Sequence, residues 1–330
     1  MAAYERIPRP FSSLEFDVRI TERARSRGLL EQISPEAFAQ RTQQLEAKIV
    51  PSLALFGENI LPNLRHRLGN NAWGMLLFAL DQTMRGQNDP VYDVLGQQER
   101  YQESNLTHCA NMLVKANKLF HAVSGFAERV IPNDRAKEEF VIAVLAHDAP
   151  EALTDDVPAF GPLRQSDEGQ KIKAMEWHAA RFMARQIGDP DVRVEWLSLY
   201  KEMDKKKSFR ARVLKFIDKW DGSDTAYTHY YRYAHLYTGR DPELDALVHN
   251  HIVYSADKIA TTAHHVHKKI RDTAAEQQFQ QFVAGILTPY VDSGFDGHVR
   301  LALREHSFRS EVANLIFSTL PQRNGDRRRG

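Results

Sequence analysis

Ionisable side chains crowd the end of the longest apolar run in the chain. The segment FVIAVLA ends at residue 146, and the ionisable residues that follow it within ten positions are His147, Asp148, Glu151, Asp155 and Asp156. Neighbouring side chains on a regular helix point about 100° apart, whereas at a helix end both can turn toward one ion. Pro150 disfavours the helical conformation at Ala149, so we expect a helix to end here. Imidazole and carboxylate groups in this arrangement indicate a site for a divalent metal.

Two further metal ligands are expected from other parts of the chain. His108 lies in the first turn of a predicted helix that begins at about Asn105. Asp218 ends the segment VLKFID, whose apolar residues are expected to be buried. A carboxylate in such surroundings costs several kcal/mol unless it is paired or binds a metal, and a cation is its simplest partner.

Helical periodicity dominates the chain, and alternating strand-like runs are scarce, so we predict an all-α fold. Ser34 and Pro35 predict a helix start, with an interruption after residue 48 at IVPSL. The segment 71–84 is apolar on most faces and is expected to be buried, whereas 85–98 carries Gly and Asn-Asp-Pro and is expected to be a loop. The tract HHVHKK, residues 264–269, is expected to form a solvated helix face.

The order His108, then His147-Asp148, then Asp218, each on its own helix, resembles the HD-domain metal-dependent phosphohydrolases. Within that superfamily, the segments ESNLTH, AHDAPEALTDDVP and KFID are similar to the 5′-deoxynucleotidase branch. The resemblance covers about residues 100 to 240. It implies an HD-domain helical bundle and release of phosphate from deoxynucleoside 5′-monophosphates. We therefore divide the chain into an N-terminal helical extension (1–98), an HD domain (99–240) and C-terminal helices that pack on it (241–330).

The resemblance also implies roles for individual side chains. One divalent ion, either Mn, Co, Fe, Ni or Zn, would be held by His108, His147, Asp148 and Asp218. Glu151 would orient or deprotonate the attacking water, and Asp156 would act as acid or base or bind the sugar hydroxyls. The chain has no Arg-Trp dipeptide, which the related nucleotidases use to contact phosphate and sugar. The phosphate anchor is therefore open, and its candidates are Arg100, Arg164 and Lys173.

The charge balance, the single cysteine and the apolar stretches of the chain limit the classes of partner and the location that we expect. Lys plus Arg (44) balances Asp plus Glu (43), so no polymeric nucleic acid and no membrane surface is expected as a partner. The single cysteine, Cys109, and a start without a signal-peptide core predict a cytoplasmic protein. Apolar stretches such as WGMLLFAL must be buried in the core or in a homodimer. Two alternatives remain for the function: a dNTP triphosphohydrolase, for which Arg164, Lys171 and Lys173 could supply cations, and a non-catalytic HD-fold binding protein.

Overall fold

The computed structural model describes residues 13–29, 34–84, 103–154, 166–237, 239, 241–271, 273–291, 300, 303 and 307–319. This part of the chain is α-helical and contains no strand, apart from one isolated bridge between Met84 and Ser104. The predicted all-α class is therefore confirmed. The loop expected at 85–98 lies outside the described residues.

The chain divides into two compact units, of which the first comprises Met1–Asn117 and Ile131–Lys207. Its helices are α1 (Ser13–Ser26), α2 (Pro35–Leu53), α3 (Ile60–Leu68), α4 (Asn70–Gln82), α5 (Asn105–Ala122, up to Asn117), α7 (Asp134–Ala146), α8 (Glu151–Thr154), α9 (Asp167–Arg185) and α10 (Pro190–Lys205). The second unit comprises Lys118–Val130 and Ser208–Gly330. Its helices, after the end of α5, are α6 (Phe126–Val130), α11 (Phe209–Tyr237), α12 (Pro242–His267), α13 (Ala274–Tyr290) and α14 (Ser307–Thr319). The three-part division at 98/99 and 240/241 stays a prediction.

Helix α2 begins where the sequence predicts but ends later. The Ser34 hydroxyl accepts a hydrogen bond from the Ala37 amide at 3.2 Å, which satisfies one of the amides that a helix start leaves without a partner. The expected break after residue 48 is wrong, because the helix continues through Pro51 to Leu53. Pro51 removes one hydrogen bond to the carbonyl of Ala47, and both residues are exposed, so water can replace that bond.

Helix α4 is buried on most of its surface, as its apolar pattern predicts. Trp73 is fully buried, and its indole N–H donates to Glu46 on α2 at 2.6 Å. Arg65 on α3 binds the same carboxylate through Nε at 2.6 Å and through Nη2. The buried charge of Glu46 is thereby paired and hydrogen-bonded, as a buried carboxylate requires.

An ion network fixes α7, the helix that leads to the candidate site. Arg67 on α3 is buried and donates to Glu138 on α7 at 2.9 Å and to Glu195 on α10. Arg135 on α7 also binds Glu195, at 2.7 Å, and Asn63 binds Glu138 at 2.8 Å. On the C-terminal side of this network, every residue of α7 from Phe140 to Ala146 is buried.

In the second unit, α11 and α12 pack along each other, and α13 packs on α12. Phe279 of α13 lies against Phe126 and Phe216, with ring centroids 5.5 and 5.4 Å away. The solvated face expected for HHVHKK is wrong for two residues, since Val266 and His267 are buried, and His267 lies 2.6 Å from a Glu276 oxygen. A charged partner on the following helix lets this imidazole be buried.

Candidate metal centre

His147 and Asp148 lie in the turn that ends α7. The helix stops at Ala146, and Glu151 begins α8 after the turn through Pro150. Nδ1 of His147 lies 2.5 Å from the Val144 carbonyl. A carbonyl can only accept, so Nδ1 carries the proton. This hydrogen bond fixes the tautomer and leaves the lone pair of Nε2 available to a metal, as in many metal-binding histidines.

Helix α5 places His108 beside this turn. His108 is fully buried, and its Nε2 lies 3.4 Å from Oδ2 of Asp148. Nε2 of His147 lies 3.1 Å from Oδ1 of the same carboxylate, and the two imidazole centroids are 5.5 Å apart. One buried carboxylate thus faces two imidazole nitrogens. A neutral His147 presents only a lone pair to Asp148, so the pair requires a proton or a cation between them.

Asp218 is buried on α11 and has two cationic neighbours on its own helix. Nζ of Lys215 lies 2.6 Å from Oδ2 of Asp218, and Nζ of Lys219 lies 3.2 Å from the same oxygen. The sequence indicates that Asp218 needs a cationic partner, and these lysines meet that need in part. Their positions three residues before and one after Asp218 are a signal that the sequence interpretation missed.

Within the first unit, His108, His147 and Asp148 bring two imidazoles and one carboxylate together. Asp218, which the sequence also predicts as a ligand, belongs to the second unit, and its role as a ligand stays a prediction. Among the described residues, the donor set fits a divalent transition metal, with two neutral imidazoles and carboxylate oxygen.

Glu151, the predicted base, is held by a residue that the sequence interpretation did not select. Nδ2 of Asn105 donates to Oε2 of Glu151 at 2.9 Å and lies 3.5 Å from the carbonyl of Asp148. Asn105 stands three residues before His108, so the two side chains share one face of α5. This i, i+3 spacing could have indicated Asn105, although only the fold shows that its amide reaches Glu151.

Only some of the residues predicted to contact the substrate lie in the part of the chain that the structure describes. Asp156, Arg100 and Arg164 lie outside the described residues. Lys173 is half-buried on α9 and pairs with Glu176 on the same helix. Two residues earlier, Lys171 lines a cavity of about 350 Å³ together with cationic residues of α1. The residues that line this cavity are Phe16, Arg19, Glu22, Arg23, Ser26, Lys171, Ile172 and Met175.

Comparison with known proteins gives no family. No protein-family model, no curated protein and no solved structure matches this chain. In the part of the chain that the structure describes, no helix combines the length and apolar character needed to span a bilayer.

Proposed function

We propose that this protein is a metal-dependent phosphohydrolase of the HD-domain type that acts on nucleotides. The preferred reaction is release of phosphate from deoxynucleoside 5′-monophosphates. The observation that carries the proposal is the buried carboxylate of Asp148, which faces Nε2 of His108 and of His147 at 3.4 and 3.1 Å. Three residues further along, Glu151 supplies a second carboxylate on the same turn.

The proposed ligands are His108, His147, Asp148 and Asp218, and the proposed ion is Mn, Co, Fe, Ni or Zn. When bound there, such an ion supplies Lewis acidity toward a phosphate oxygen and lowers the pKa of a coordinated water. The hydrogen bond from His147 to the Val144 carbonyl supports this proposal, because it orients the ring and commits Nδ1 as the donor.

The side chains around these ligands would handle the proton and the phosphate. Glu151 accepts the proton of the attacking water, which is the role of a general base. Asp156 then acts as acid or base, or binds the sugar hydroxyls. Cytoplasmic location and homodimer formation remain predictions from the sequence.

A triphosphate substrate is the second candidate within this class. The cavity between α1 and α9 is lined by Arg19, Arg23 and Lys171 against a single acid, Glu22. A row of phosphates carries several negative charges, and such a lining would favour it over a monophosphate. The two reactions differ in product, since one releases phosphate and the other releases triphosphate.

Metal content and hydrolysis test the proposal together. The full-length chain is assayed for bound divalent metal, and then for release of phosphate or triphosphate from dNMP and dNTP with added Mn or Co. We expect stoichiometric metal, phosphate release from dNMP, and a loss of activity on the order of 100-fold or more in Asp148→Asn. Asp134→Asn is the matched control, because Asp134 is exposed at the other end of the same helix. Absence of both metal and hydrolysis would instead support the non-catalytic alternative.

A further inference from the structure

Asn105 has a fixed position at the start of α5. Its backbone N–H donates to the carbonyl of Thr83 at 2.9 Å, just beyond the end of α4. Its side chain is fully buried and reaches across to the turn that carries Asp148 and Glu151. A helix-start asparagine often caps its own helix by accepting a hydrogen bond at Oδ1, but here the amide nitrogen donates to a distant carboxylate and no described residue donates to Oδ1. Asn105 therefore links α5 to α8 through its side chain.

The orientation of this amide follows from its partners. An ionised Glu151 can only accept hydrogen bonds, as can the Asp148 carbonyl, so the NH₂ group of Asn105 must face them. Oδ1 then points away from both. This oxygen is buried and accepts no hydrogen bond from any residue that the structure describes. A buried amide oxygen without a donor has lost its hydration with no compensating hydrogen bond, so a bound donor is expected there.

We infer that Asn105 is a positioning residue that fixes Glu151 and, through Oδ1, accepts a hydrogen bond from the attacking water. Water carries two protons: one forms a hydrogen bond to Oδ1 of Asn105, and the other is transferred to the Glu151 carboxylate. With both protons engaged, the lone pairs of the water point away from these two acceptors and toward the phosphorus atom. This inference rests on the proposed function for its catalytic part, whereas the water site itself does not.

The chemistry of the step balances without any further reactant. The water oxygen forms a bond to phosphorus while the bond between phosphorus and the 5′-oxygen breaks. One water proton passes to Glu151 and from there to the leaving 5′-oxygen, and the other stays on the phosphate, which gives a nucleoside and inorganic phosphate. Asn105 keeps its protons throughout and acts only by holding the geometry.

The test compares two leucine substitutions on α5 in the full-length protein. Asn105→Leu keeps the approximate volume and removes both polar atoms. Asn111→Leu is the matched control, since Asn111 also lies on α5 and also donates to a glutamate, Glu103, at 2.5 Å. For Asn105→Leu we expect kcat to fall about 100-fold, the size of a general-base contribution. The KM for dNMP and the Kd for Mn should stay within twofold of the wild type. The Tm should stay within a few degrees of it.

Two outcomes would overturn the inference. One is a kcat for Asn105→Leu within threefold of the wild type. The other is a loss that arises only through weaker Mn binding, which would make Asn105 a support for the metal ligands. A crystal structure supplies a readout that does not depend on activity: we expect a water within hydrogen-bond distance of both Oδ1 and a Glu151 oxygen, absent in the leucine variant. If the water is present but dNMP is not hydrolysed, the proposed function fails and the water site stands. If it is absent, the inference fails.

Discussion

Replacing Arg67 with methionine should destabilise the first unit far more than the same change at Arg135. Both guanidinium groups bind Glu195, so the two variants break ion pairs with the same carboxylate. They differ in burial, because the Arg67 side chain is 6% exposed and that of Arg135 is 58% exposed. Methionine is unbranched and keeps much of the packing of the arginine stem. The comparison therefore isolates the effect of burial on one kind of contact.

The size of each effect follows from the contacts that are lost. Arg67 makes charge-assisted hydrogen bonds to Glu138 and to Glu195, whose side chains are only 13% and 19% exposed. At about 1.5 kcal/mol for each bond, their loss costs about 3 kcal/mol. We use the low end of the range because Asn63 still binds Glu138 and Arg135 still binds Glu195. An exposed pair such as that of Arg135 is worth about 0.2–1 kcal/mol.

Urea unfolding and thermal melts measure both variants. For a unit of this size, the loss in Arg67→Met corresponds to a decrease in Tm of about 6–12 °C. Arg135→Met should lower the Tm by about 4 °C at most. Raising the salt concentration should abolish the smaller effect and leave most of the larger one, since buried pairs are screened less. Equal losses in the two variants would refute the argument that burial sets the strength of these contacts.

Three further predictions concern the metal, a buried tyrosine and a helix contact. Removing divalent metal with EDTA should lower the Tm of the wild type. Re-adding Mn at 100 times its Kd should restore about 2.7 kcal/mol of the free energy of unfolding. Asp148→Asn should respond neither to EDTA nor to Mn. Burial, and then the charges of Asp224 and Tyr227, raise the pKa of Tyr290 well above its usual value. The stability that the neutral Tyr290 side chain contributes is therefore full below about pH 10. It is lost as the pH rises beyond that value, because this tyrosine ionises in the unfolded chain before it ionises in the folded one. In Tyr290→Phe, loss of the hydrogen bond to the Ser223 carbonyl should lower the free energy of unfolding by about 1 kcal/mol below pH 10. Urea titrations from pH 8 to 11 should then show that this free energy falls less steeply above pH 10 in the variant than in the wild type. A methyl group at Gly74 would lie 2.5 Å from the Phe38 ring, so Gly74→Ala should lower the Tm despite better helix propensity, and a Tm above the wild type would contradict the close contact of α2 and α4.

Local features of the fold were predictable because their causes are local. The cap at Ser34 depends on a side chain that reaches the amide of Ala37, three residues away, at 3.2 Å. The burial of α4 follows from an apolar pattern that leaves no polar face for solvent. The effect of Pro51 was predicted wrongly, because proline costs a helix one hydrogen bond, and water can replace that bond where Ala47 and Pro51 are exposed.

The contacts that fix the site were not predictable from spacing. Arg67 binds residues 71 and 128 positions away, and Asn105 reaches Glu151 across 46 positions. No periodicity in the sequence encodes such pairs, since they depend on which helices become neighbours. The proximity of His108 to His147 and Asp148 was expected only through a family resemblance. The structure brings these three residues together, and their role as metal ligands stays a prediction.

The burial of so many polar groups at the end of α7 is itself an argument for a ligand. The helix enters the turn with seven consecutive buried apolar residues, 140–146, so His147 and Asp148 emerge inside the unit rather than at its surface. The Val144 carbonyl and the Asn105 amide offset part of the desolvation cost, through His147 and Glu151. The Asp148 carboxylate still faces imidazole nitrogens, and the Asn105 oxygen still lacks a donor among the described residues. A cation and a water would satisfy both at once. If a metal and a water bind there, they would recover the stability that these buried polar groups cost the unoccupied site.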